Sequence, residues 1–374
     1  MNILHIYRTC YPETQGGIEQ VIKNLSKGSI EGGDKVKVLA LGDENKTILY
    51  QGSEIIFYKR TFSIKSNCFS LSMLTKAKSH LDWADVVNFH YPWPSGDLLL
   101  PLLKRNKKVV VTYHSDIIRQ KFLKSVYGLL EKYFLNRADA LVATSQNYLE
   151  SSKTLAPYRS KCSVIPLGVD FSEYDDVDPQ VKHDMELKVG SGFFLFVGVL
   201  RYYKGLHYLL EAAKLSGCQV VIAGKGPEDS RLKEYAKANR LDNVKFLGFV
   251  SEQEKNALLS LSKSFVFPSF VRTEAFGVSL IEALYHGKPI ISCDISTGTS
   301  FVNENFLTGY VVPPSDPKAL AKAMLDMESD ENYSDYCVNA KTRALSLFSY
   351  EKMVQSYQEL YKNILDLSQG CSNK

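Results

Sequence analysis

The chain has 374 residues, of which 45% are hydrophobic and 23% are charged, a composition typical of a soluble globular protein with room for two domains. No apolar run is long enough to cross a bilayer, and the amino terminus lacks the basic and apolar segments of a signal peptide, so we expect neither feature. The seven scattered cysteines indicate reduced thiols in a cytoplasmic protein, and no cluster of histidine, cysteine and aspartate has metal-ligand spacing.

Positive charge is concentrated in the first half of the chain. Residues 1–170 contain 23 lysines and arginines against 15 aspartates and glutamates, whereas the remaining residues contain 22 against 26. A basic half indicates an anionic partner or surface, or else ordinary solvated charge. No helix-turn-helix, RNA-recognition or zinc-finger signature is present, so we expect no nucleic acid partner, and an anionic membrane surface fits better.

Short apolar runs alternate with helical patterns along the first half, which is typical of buried parallel strands in a doubly wound α/β sheet. The predicted strands are 3–7, 36–41, 86–90, 109–113, 141–144 and 163–166, and the clearest helices are 19–29 and 122–136. The chain then becomes acidic and polar. We therefore predict a first domain over residues 1–170 and a linker over residues 171–190.

The same alternation starts again after residue 190. The predicted strands are 193–197, 220–223, 244–247, 265–268, 289–292 and 309–312, and the predicted helices are 206–215, 230–239, 251–261, 278–285 and 317–327. This pattern predicts an α/β fold with two Rossmann-like domains that face a central cleft, the second over residues 191–345. A last helical pattern has no strand after it, so we expect a helix within residues 346–374 that packs back on the first domain.

A pair of glycines follows the first strand of the first domain. Ligands of parallel sheets bind beyond the carboxyl ends of the strands, near the starts of helices. Gly16 and Gly17 lead into a helix, so their backbone N–H groups can approach a phosphate or a sugar closely. An ordinary tight turn is the alternative, and the G-x-G-x-x-G pattern of dinucleotide enzymes is missing.

Two cations follow the first strand of the second domain. Gly198 opens this loop, and Arg201 and Lys204 come three residues apart before a glycine. A diphosphate that departs as a leaving group needs its negative charge stabilised. The pair therefore predicts a phosphate site in preference to a solvated loop.

Two glutamates, Glu274 and Glu282, are separated by seven residues around the start of a predicted helix. We place Glu274 in the preceding loop and Glu282 inside the helix, where they would meet different parts of one elongated ligand. Carboxylates accept paired hydrogen bonds from vicinal hydroxyls, which sugars and riboses offer. The backbone amides of Phe276, Gly277 and Val278 at the helix start can face negative charge.

The Glu-x7-Glu pair, the Arg-x2-Lys-Gly loop and the Gly-Gly loop together resemble the retaining glycosyltransferases of family 4, which have the two-domain GT-B fold. The resemblance covers essentially the whole chain and includes segments 164–170, 222–227 and 246–250. Four further segments resemble bacterial O-antigen mannosyl- and rhamnosyltransferases, namely 7–19, 112–116, 201–206 and 272–277. These enzymes are associated with GDP-sugar donors and lipid-linked acceptors.

The resemblance implies a role for each candidate residue at the matching position. Arg201 and Lys204 would hold the donor diphosphate, Glu282 would bind the ribose, and Glu274 would contact hydroxyls of the donor sugar beside the helix-start amides. His114 would contact the transferring sugar near its 6-position, although a core histidine is the alternative. The remaining donor-binding assignments are Gly198 and Val278 in the same site, Val250 facing the base, and Gly16 with Gly17 approaching the phosphate from the first domain.

The function that the resemblance implies is a hexosyltransferase that needs neither a metal nor a cofactor. It would move mannose from GDP-mannose, or a related deoxyhexose, with retention onto a lipid-diphosphate-linked saccharide in O-antigen synthesis. The alternatives are a UDP-sugar donor, a nucleotide-sugar epimerase on the same fold, an NAD-dependent oxidoreductase and a non-catalytic sensor of nucleotide sugars. We expect the protein in the cytoplasm, at the inner face of the cytoplasmic membrane.

The prediction of a membrane surface depends mainly on segment 117–136. It mixes four basic side chains with many apolar ones, of which Ile118, Phe122, Val126, Leu129 and Tyr133 recur at helical spacing. One interpretation is a core helix with a basic outer edge, and the other is a surface that docks on anionic lipid. The basic residues are Arg119, Lys121, Lys124 and Lys132.

Overall fold

The computed structural model of the protein describes residues 1–64, 67–117 and 121–372. The chain forms two compact units: unit 1 comprises Met1–Val169 with Tyr350–Lys374, and unit 2 comprises Asp170–Ser349. Within the described residues, no helix combines the length and the apolar character that a membrane span requires.

Unit 1 is built on a mainly parallel sheet. Its strands are β1 Asn2–Ile6, β2 Lys35–Gly42, β3 Lys46–Tyr50, β4 Ser53–Lys59, β5 Phe62–Ile64, β6 Asn67–Phe69, β7 Val86–Tyr91, β8 Lys108–Tyr113, β9 Ala140–Ala143 and β10 Cys162–Val164. Its helices are α1 Gly17–Glu31, α2 Leu71–Lys76, α3 Lys78–Trp83, α4 Pro94–Asp97, α5 Lys121–Arg137, α6 Gln146–Ser151 and α15 Tyr350–Ser372. Eight strands form one sheet in the order β10-β9-β8-β7-β1-β2-β4-β3, and β5 pairs with β6 separately.

The central strands of this sheet are the ones that the sequence predicts. β7 and β9 are buried at every position because their apolar side chains are covered on both faces of the sheet. The hairpin of β3 and β4 has no counterpart among the predicted strands. β3 alternates half-buried and exposed positions at the edge of the sheet, so its apolar signal is weak, and Gln51 and Gly52 form the turn.

The carboxyl-terminal helix α15 belongs to unit 1 and packs on α1. Gly28 of α1 leaves no room for a side chain, because a Cβ there would lie 2.5 Å from Val354. The buried hydroxyl of Tyr361 accepts a hydrogen bond from Asn88 at 2.8 Å, and that of Tyr357 lies 2.9 Å from the Thr112 hydroxyl. These contacts join the last helix of the chain to strands β7 and β8.

Unit 2 is built on a second parallel sheet. Its strands are β11 Phe194–Val197, β12 Val220–Ala223, β13 Val244–Gly248, β14 Ser264–Phe267, β15 Ile290–Cys293 and β16 Gly309–Val312, in the order β13-β12-β11-β14-β15-β16. Its helices are α7 Pro179–Val189, α8 Leu206–Ser216, α9 Asp229–Ala238, α10 Glu252–Leu261, α11 Val278–Tyr285, α12 Thr299–Val302, α13 Pro317–Ser329 and α14 Tyr333–Leu347. The prediction of an α/β fold with two Rossmann-like halves is confirmed.

The interpretation of residues 171–190 as a linker needs correction, because they form ordered structure within unit 2. A 3₁₀ turn at Phe171–Tyr174 is followed by α7. Asp178 caps that helix by accepting a hydrogen bond from the Gln180 amide at 2.8 Å, and Pro179 occupies its first turn. The acidic and polar stretch that suggests a linker thus contains a helix-start signal.

Candidate functional site

The loops after β11 and β12 pack backbone against backbone. The Gly198 amide donates a hydrogen bond to the Ala223 carbonyl at 3.0 Å. A Cβ on Gly224 would lie 1.9 Å from the Gly198 carbonyl oxygen, so no larger residue fits there. The two loops therefore form one closely packed floor at the carboxyl ends of neighbouring strands, which is where ligands of parallel sheets bind.

Arg201 and Lys204 bracket a 3₁₀ turn, Tyr202–Lys204, just beyond this floor. Arg201 is exposed. Gly205 closes the turn at φ 72°, and a Cβ there would lie 2.0 Å from the Pro268 carbonyl oxygen, so the turn rests directly on the chain that leaves β14. The predicted cations thus sit where the ends of β11 and β14 meet.

Lys204 is much less accessible than Arg201 and has a partner. Its ammonium forms an ion pair with Glu274, and the two side chains are 13% and 11% exposed. It also lies 4.5 Å from the centroid of the Phe267 ring. Glu274 accepts a second hydrogen bond from the Ser269 hydroxyl at 3.3 Å. The structure therefore brings together two residues that the sequence assigns to different parts of the ligand.

The start of α11 supplies backbone donors beside Glu274. Phe276 itself is buried, and its ring packs edge-on against Phe348 at 6.0 Å between centroids, so its side chain anchors the loop. In the part of the chain that the structure describes, no backbone carbonyl accepts from the amides of Phe276, Gly277 and Val278. These amides lie at the positive end of the helix dipole, an arrangement that favours an anion.

Glu282 lies inside α11 and is 9% exposed. Its Oε1 accepts hydrogen bonds from the Tyr174 hydroxyl and the Lys255 ammonium, both at 2.9 Å. Lys255 also pairs with Glu252 at 2.6 Å. Burial and the Glu282 carboxylate raise the pKa of Tyr174, which keeps that hydroxyl protonated as a donor.

Neither Tyr174 nor Lys255 is a candidate in the sequence. Tyr174 falls in the stretch interpreted as a linker. Lys255 is a buried cation on the predicted helix 251–261, and a lysine among the apolar positions of a helix is a signal that could have found it.

The residue predicted to face the base, Val250, follows β13 and is half-buried. Gly248 lies two residues before Val250, and its carbonyl accepts a hydrogen bond from the Gly224 amide at 2.6 Å. Val250 is thereby joined to the same floor of loops as Gly198. No contact in the described residues tests its role.

In unit 1, Gly16 caps α1 and Gly17 is the first residue of that helix; both are exposed. A Cβ on Gly16 would lie 2.6 Å from a carboxylate oxygen of Glu19. The predicted phosphate-approaching loop therefore has the acidic side chain of Glu19 beside it, which is not among the candidate residues of the sequence.

His114 follows β8 and lies at the end of a row of three buried histidines. His114 Nε2 is 3.0 Å from His90 Nδ1, and His90 Nε2 is 3.1 Å from His5 Nδ1. Burial lowers the pKa of His114 to about 3 and that of His5 to about 4, and it lowers the pKa of His90 well below its ordinary value. The sequence singles out only His114, although His5 and His90 are polar residues inside predicted apolar strands.

This row predicts acid sensitivity of unit 1. In the unfolded chain each of the three histidines regains a pKa near 6.5, so below that pH the unfolded state binds more protons and stability is lost as the pH falls toward 4. We expect the free energy of unfolding to fall by about 1.4 kcal/mol per histidine at pH 5.5.

Urea unfolding of the intact chain at pH 5.5 and 7 measures this loss. The chain has two tryptophans, Trp83 and Trp93, which both lie in unit 1, so their fluorescence reports that unit. His5→Asn should lessen the pH dependence, because it removes one of the three buried histidines. A pH dependence that is the same in the unchanged chain and in His5→Asn would contradict the prediction.

Two family models match the chain. The model of Glycosyltransferase Family 4 matches residues 15–173, and that of Glycosyl transferases group 1 matches residues 179–344. The O-antigen chain mannosyltransferase C of Escherichia coli is 41% identical over 98% of this chain and 99% of that protein. The D-rhamnosyltransferase WbpZ of Pseudomonas aeruginosa is 44% identical over 93% of this chain and 92% of that protein.

Solved structures share the architecture at lower identity. The sucrose-phosphate synthase of Thermosynechococcus elongatus has a TM-score of 0.79 at 19% identity, covering 98% of this chain and 99% of that one. HepE of Anabaena in complex with UDP and glucose has a TM-score of 0.77 at 18% identity, covering 97% of this chain and 100% of that one. At these identities the likeness concerns the fold.

Proposed function

The chain belongs to glycosyltransferase family 4 and has the GT-B type of fold, and from this premise we propose that it transfers a hexose in bacterial O-antigen synthesis. The donor in this proposal is GDP-mannose, or the GDP derivative of a related deoxyhexose. The acceptor is a lipid-diphosphate-linked saccharide, and the anomeric configuration is retained. The similarity to a mannosyltransferase and a D-rhamnosyltransferase over nearly the full chain supports this choice of sugar.

The observation that carries the proposal is the arrangement around Lys204. This cation is paired with Glu274, which comes just before the helix-start amides of α11, and the exposed Arg201 lies in the same loop three residues before Lys204. The departing nucleoside diphosphate would place its negative charge against the two cations and the amides, which stabilise the charge as it develops. Glu274 would accept hydrogen bonds from hydroxyls of the sugar.

The proposal needs no metal ion, since the two cations and the amides supply positive charge for the leaving group. It also needs no covalent intermediate: the acceptor hydroxyl attacks on the face from which the diphosphate departs. Glu282 would bind the ribose with its buried carboxylate, which Tyr174 and Lys255 already hold in place.

A donor panel tests the proposal. The purified chain is incubated with GDP-, UDP- and dTDP-sugars, each with and without a synthetic lipid-diphosphate saccharide and with and without EDTA. Mass spectrometry identifies the product, and NMR identifies its anomeric configuration. We expect transfer from GDP-mannose, or from a GDP-deoxyhexose, with retention and in the presence of EDTA.

The UDP-sugar donor and the epimerase each have their own outcome in that panel. Transfer only from a UDP-sugar would replace the donor. Conversion of a nucleotide sugar without acceptor would indicate an epimerase. Inversion, or complete loss of transfer in EDTA, would overturn the corresponding part of the mechanism.

We also propose that the enzyme docks on an anionic membrane surface through α5 of unit 1. Leu129 and Tyr133 of this helix are 78% and 53% exposed, whereas Phe134 and Leu135 face the core. Leu129 and Tyr133 are the last two of the apolar residues that recur at helical spacing in the sequence. A core helix would bury them, but here they are exposed next to the exposed Lys132. Ile118 and Arg119 lie outside the described residues. An apolar pair beside a cation on an exposed helix face suits the lipid–water interface.

Co-sedimentation with vesicles checks this placement. The double change Leu129→Ser and Tyr133→Ser should weaken binding to anionic vesicles by at least about tenfold, because it removes two apolar side chains from the interface. High salt should weaken binding of the unchanged chain. Leu187→Ser is the matched control, because Leu187 is 75% exposed but lies in unit 2. Equal binding of both variants, or binding that ignores lipid charge, would contradict the placement.

A further inference from the structure

Three histidines in unit 1 are connected through their ring nitrogens. His5 comes from β1, His90 from β7, and His114 from the residue after β8, and these three strands are neighbours in the sheet. The nitrogens are 3.1 Å apart in the first pair and 3.0 Å apart in the second. All three side chains are buried. The rings therefore form a row of hydrogen bonds that leads from the core to His114.

In a row of neutral imidazoles, all hydrogen bonds must be donated in the same direction along the row. Each neutral ring carries one N–H group and one lone pair, and the central ring uses both of its nitrogens. If His90 donates through Nδ1 to His114, it must accept at Nε2 from His5. If His90 instead accepts from His114, it must donate to His5. All three rings are Nδ1–H tautomers in the first arrangement and Nε2–H tautomers in the second.

The environment of His5 distinguishes the two directions. Its Nε2 is buried and has no hydrogen-bond partner in the described part of the chain. If His5 donates to His90, this atom carries an unpaired lone pair. If His5 accepts from His90, this atom carries an unpaired N–H group. Orphaned buried N–H groups are the rarer defect in proteins. The structure therefore favours the direction that starts with His5 Nδ1–H and ends on the lone pair of His114 Nε2.

We propose that His5 and His90 are positioning residues that hold His114 as its Nδ1–H tautomer. His114 Nε2 is then occupied by the His90 donor, and Nδ1–H is the remaining polar group of the ring. The row reverses the preference of an isolated imidazole, which favours the Nε2–H form in water.

The consequence for the reaction rests on the proposed function and on the predicted contact of His114 with the transferring sugar. A fixed Nδ1–H group is a donor, so it selects a hydroxyl oxygen or another acceptor on the transferring sugar. Because low pKa values keep the row neutral, this donor has the same form across the physiological pH range.

Nitrogen NMR of the intact enzyme tests the tautomer without relying on activity. The chain is labelled with ¹⁵N-histidine, and two-bond proton–nitrogen correlations separate protonated from unprotonated ring nitrogens. Single histidine replacements assign the seven histidines. We expect Nδ1 protonated and Nε2 unprotonated on His5, His90 and His114. The Nε2–H form on all three, or a charged ring at neutral pH, would overturn the proposal.

Two variants of His90 separate positioning from packing. His90→Asn places an amide N–H near the former Nδ1, so it can still donate to His114, whereas His90→Leu cannot. We expect His114 to remain Nδ1–H in the first variant and to become Nε2–H in the second. The kcat of His90→Leu should fall by about tenfold with little change in donor KM, and His90→Asn should recover most of it.

The outcomes also separate this proposal from the proposed function. If both His90 variants lose kcat equally and His114 keeps its tautomer, His90 acts through packing and the proposal is wrong. If the tautomers are as expected but His114→Ala has unchanged kinetics, the positioning stands and the proposed contact of His114 with the sugar fails.

Discussion

Replacement of Arg201 or of Lys204 by alanine is expected to lower kcat/KM by about 100- to 1,000-fold, which corresponds to about 3–4 kcal/mol. In the proposed mechanism both cations stabilise the charge that develops on the departing diphosphate. Steady-state kinetics with the donor identified by the panel measure the effect. Lys233→Ala is the matched control, because Lys233 is an exposed lysine of unit 2 that pairs with Asp229 on α9.

Arg201→Ala and Lys204→Ala should both lose activity, but they should differ in stability. Arg201 is exposed, so its removal should leave the unfolding temperature unchanged. Removal of Lys204 leaves the Glu274 carboxylate, 11% exposed, without its ion-pair partner and should lower that temperature. The double change Lys204→Ala and Glu274→Gln should recover part of the loss. Near wild-type turnover in both single variants would refute the diphosphate assignment.

The second large effect concerns the two carboxylates of the Glu-x7-Glu pair. Glu274→Gln is expected to lower kcat by about 100-fold while changing donor affinity little, because its contacts to the reacting sugar strengthen in the transition state. Glu282→Gln is expected mainly to weaken donor binding, because ribose contacts act equally in both states. Donor Kd from calorimetry and kcat from turnover distinguish them. The opposite pattern would mean that the two roles are reversed.

Glu282→Gln needs a control for its structural effect. Glu282 is one of two carboxylates that pair with the buried Lys255, so the variant should also lower the unfolding temperature. Glu252→Gln removes the other carboxylate, which is 74% exposed. Both variants disturb Lys255, but only Glu282→Gln should weaken donor binding. Equal donor affinity in the two variants would contradict the ribose role.

The order of strands and helices could be predicted because apolar periodicity is a local property. A buried strand such as β9 is an apolar run wherever it lies in the sheet. Strand β3 and helix α7 have no counterpart among the predicted elements, for different reasons. β3 is an edge strand with a weak apolar pattern, and α7 begins with aspartate and proline, which also mark loops.

The sequence by itself determined the fold class, the family and the loops that carry glycines, cations and carboxylates. It could do so because each of those signals lies within a few consecutive residues. Only the tertiary structure decided which side chains become partners: Lys204 with Glu274, Glu282 with Tyr174 and Lys255, and His90 with His114 and His5. The hydrogen-bonded partners among these are 24 to 108 residues apart in the chain. No local period relates such positions, because strand order alone brings the ends of β1, β7 and β8, or of β11 and β14, to one edge of a sheet.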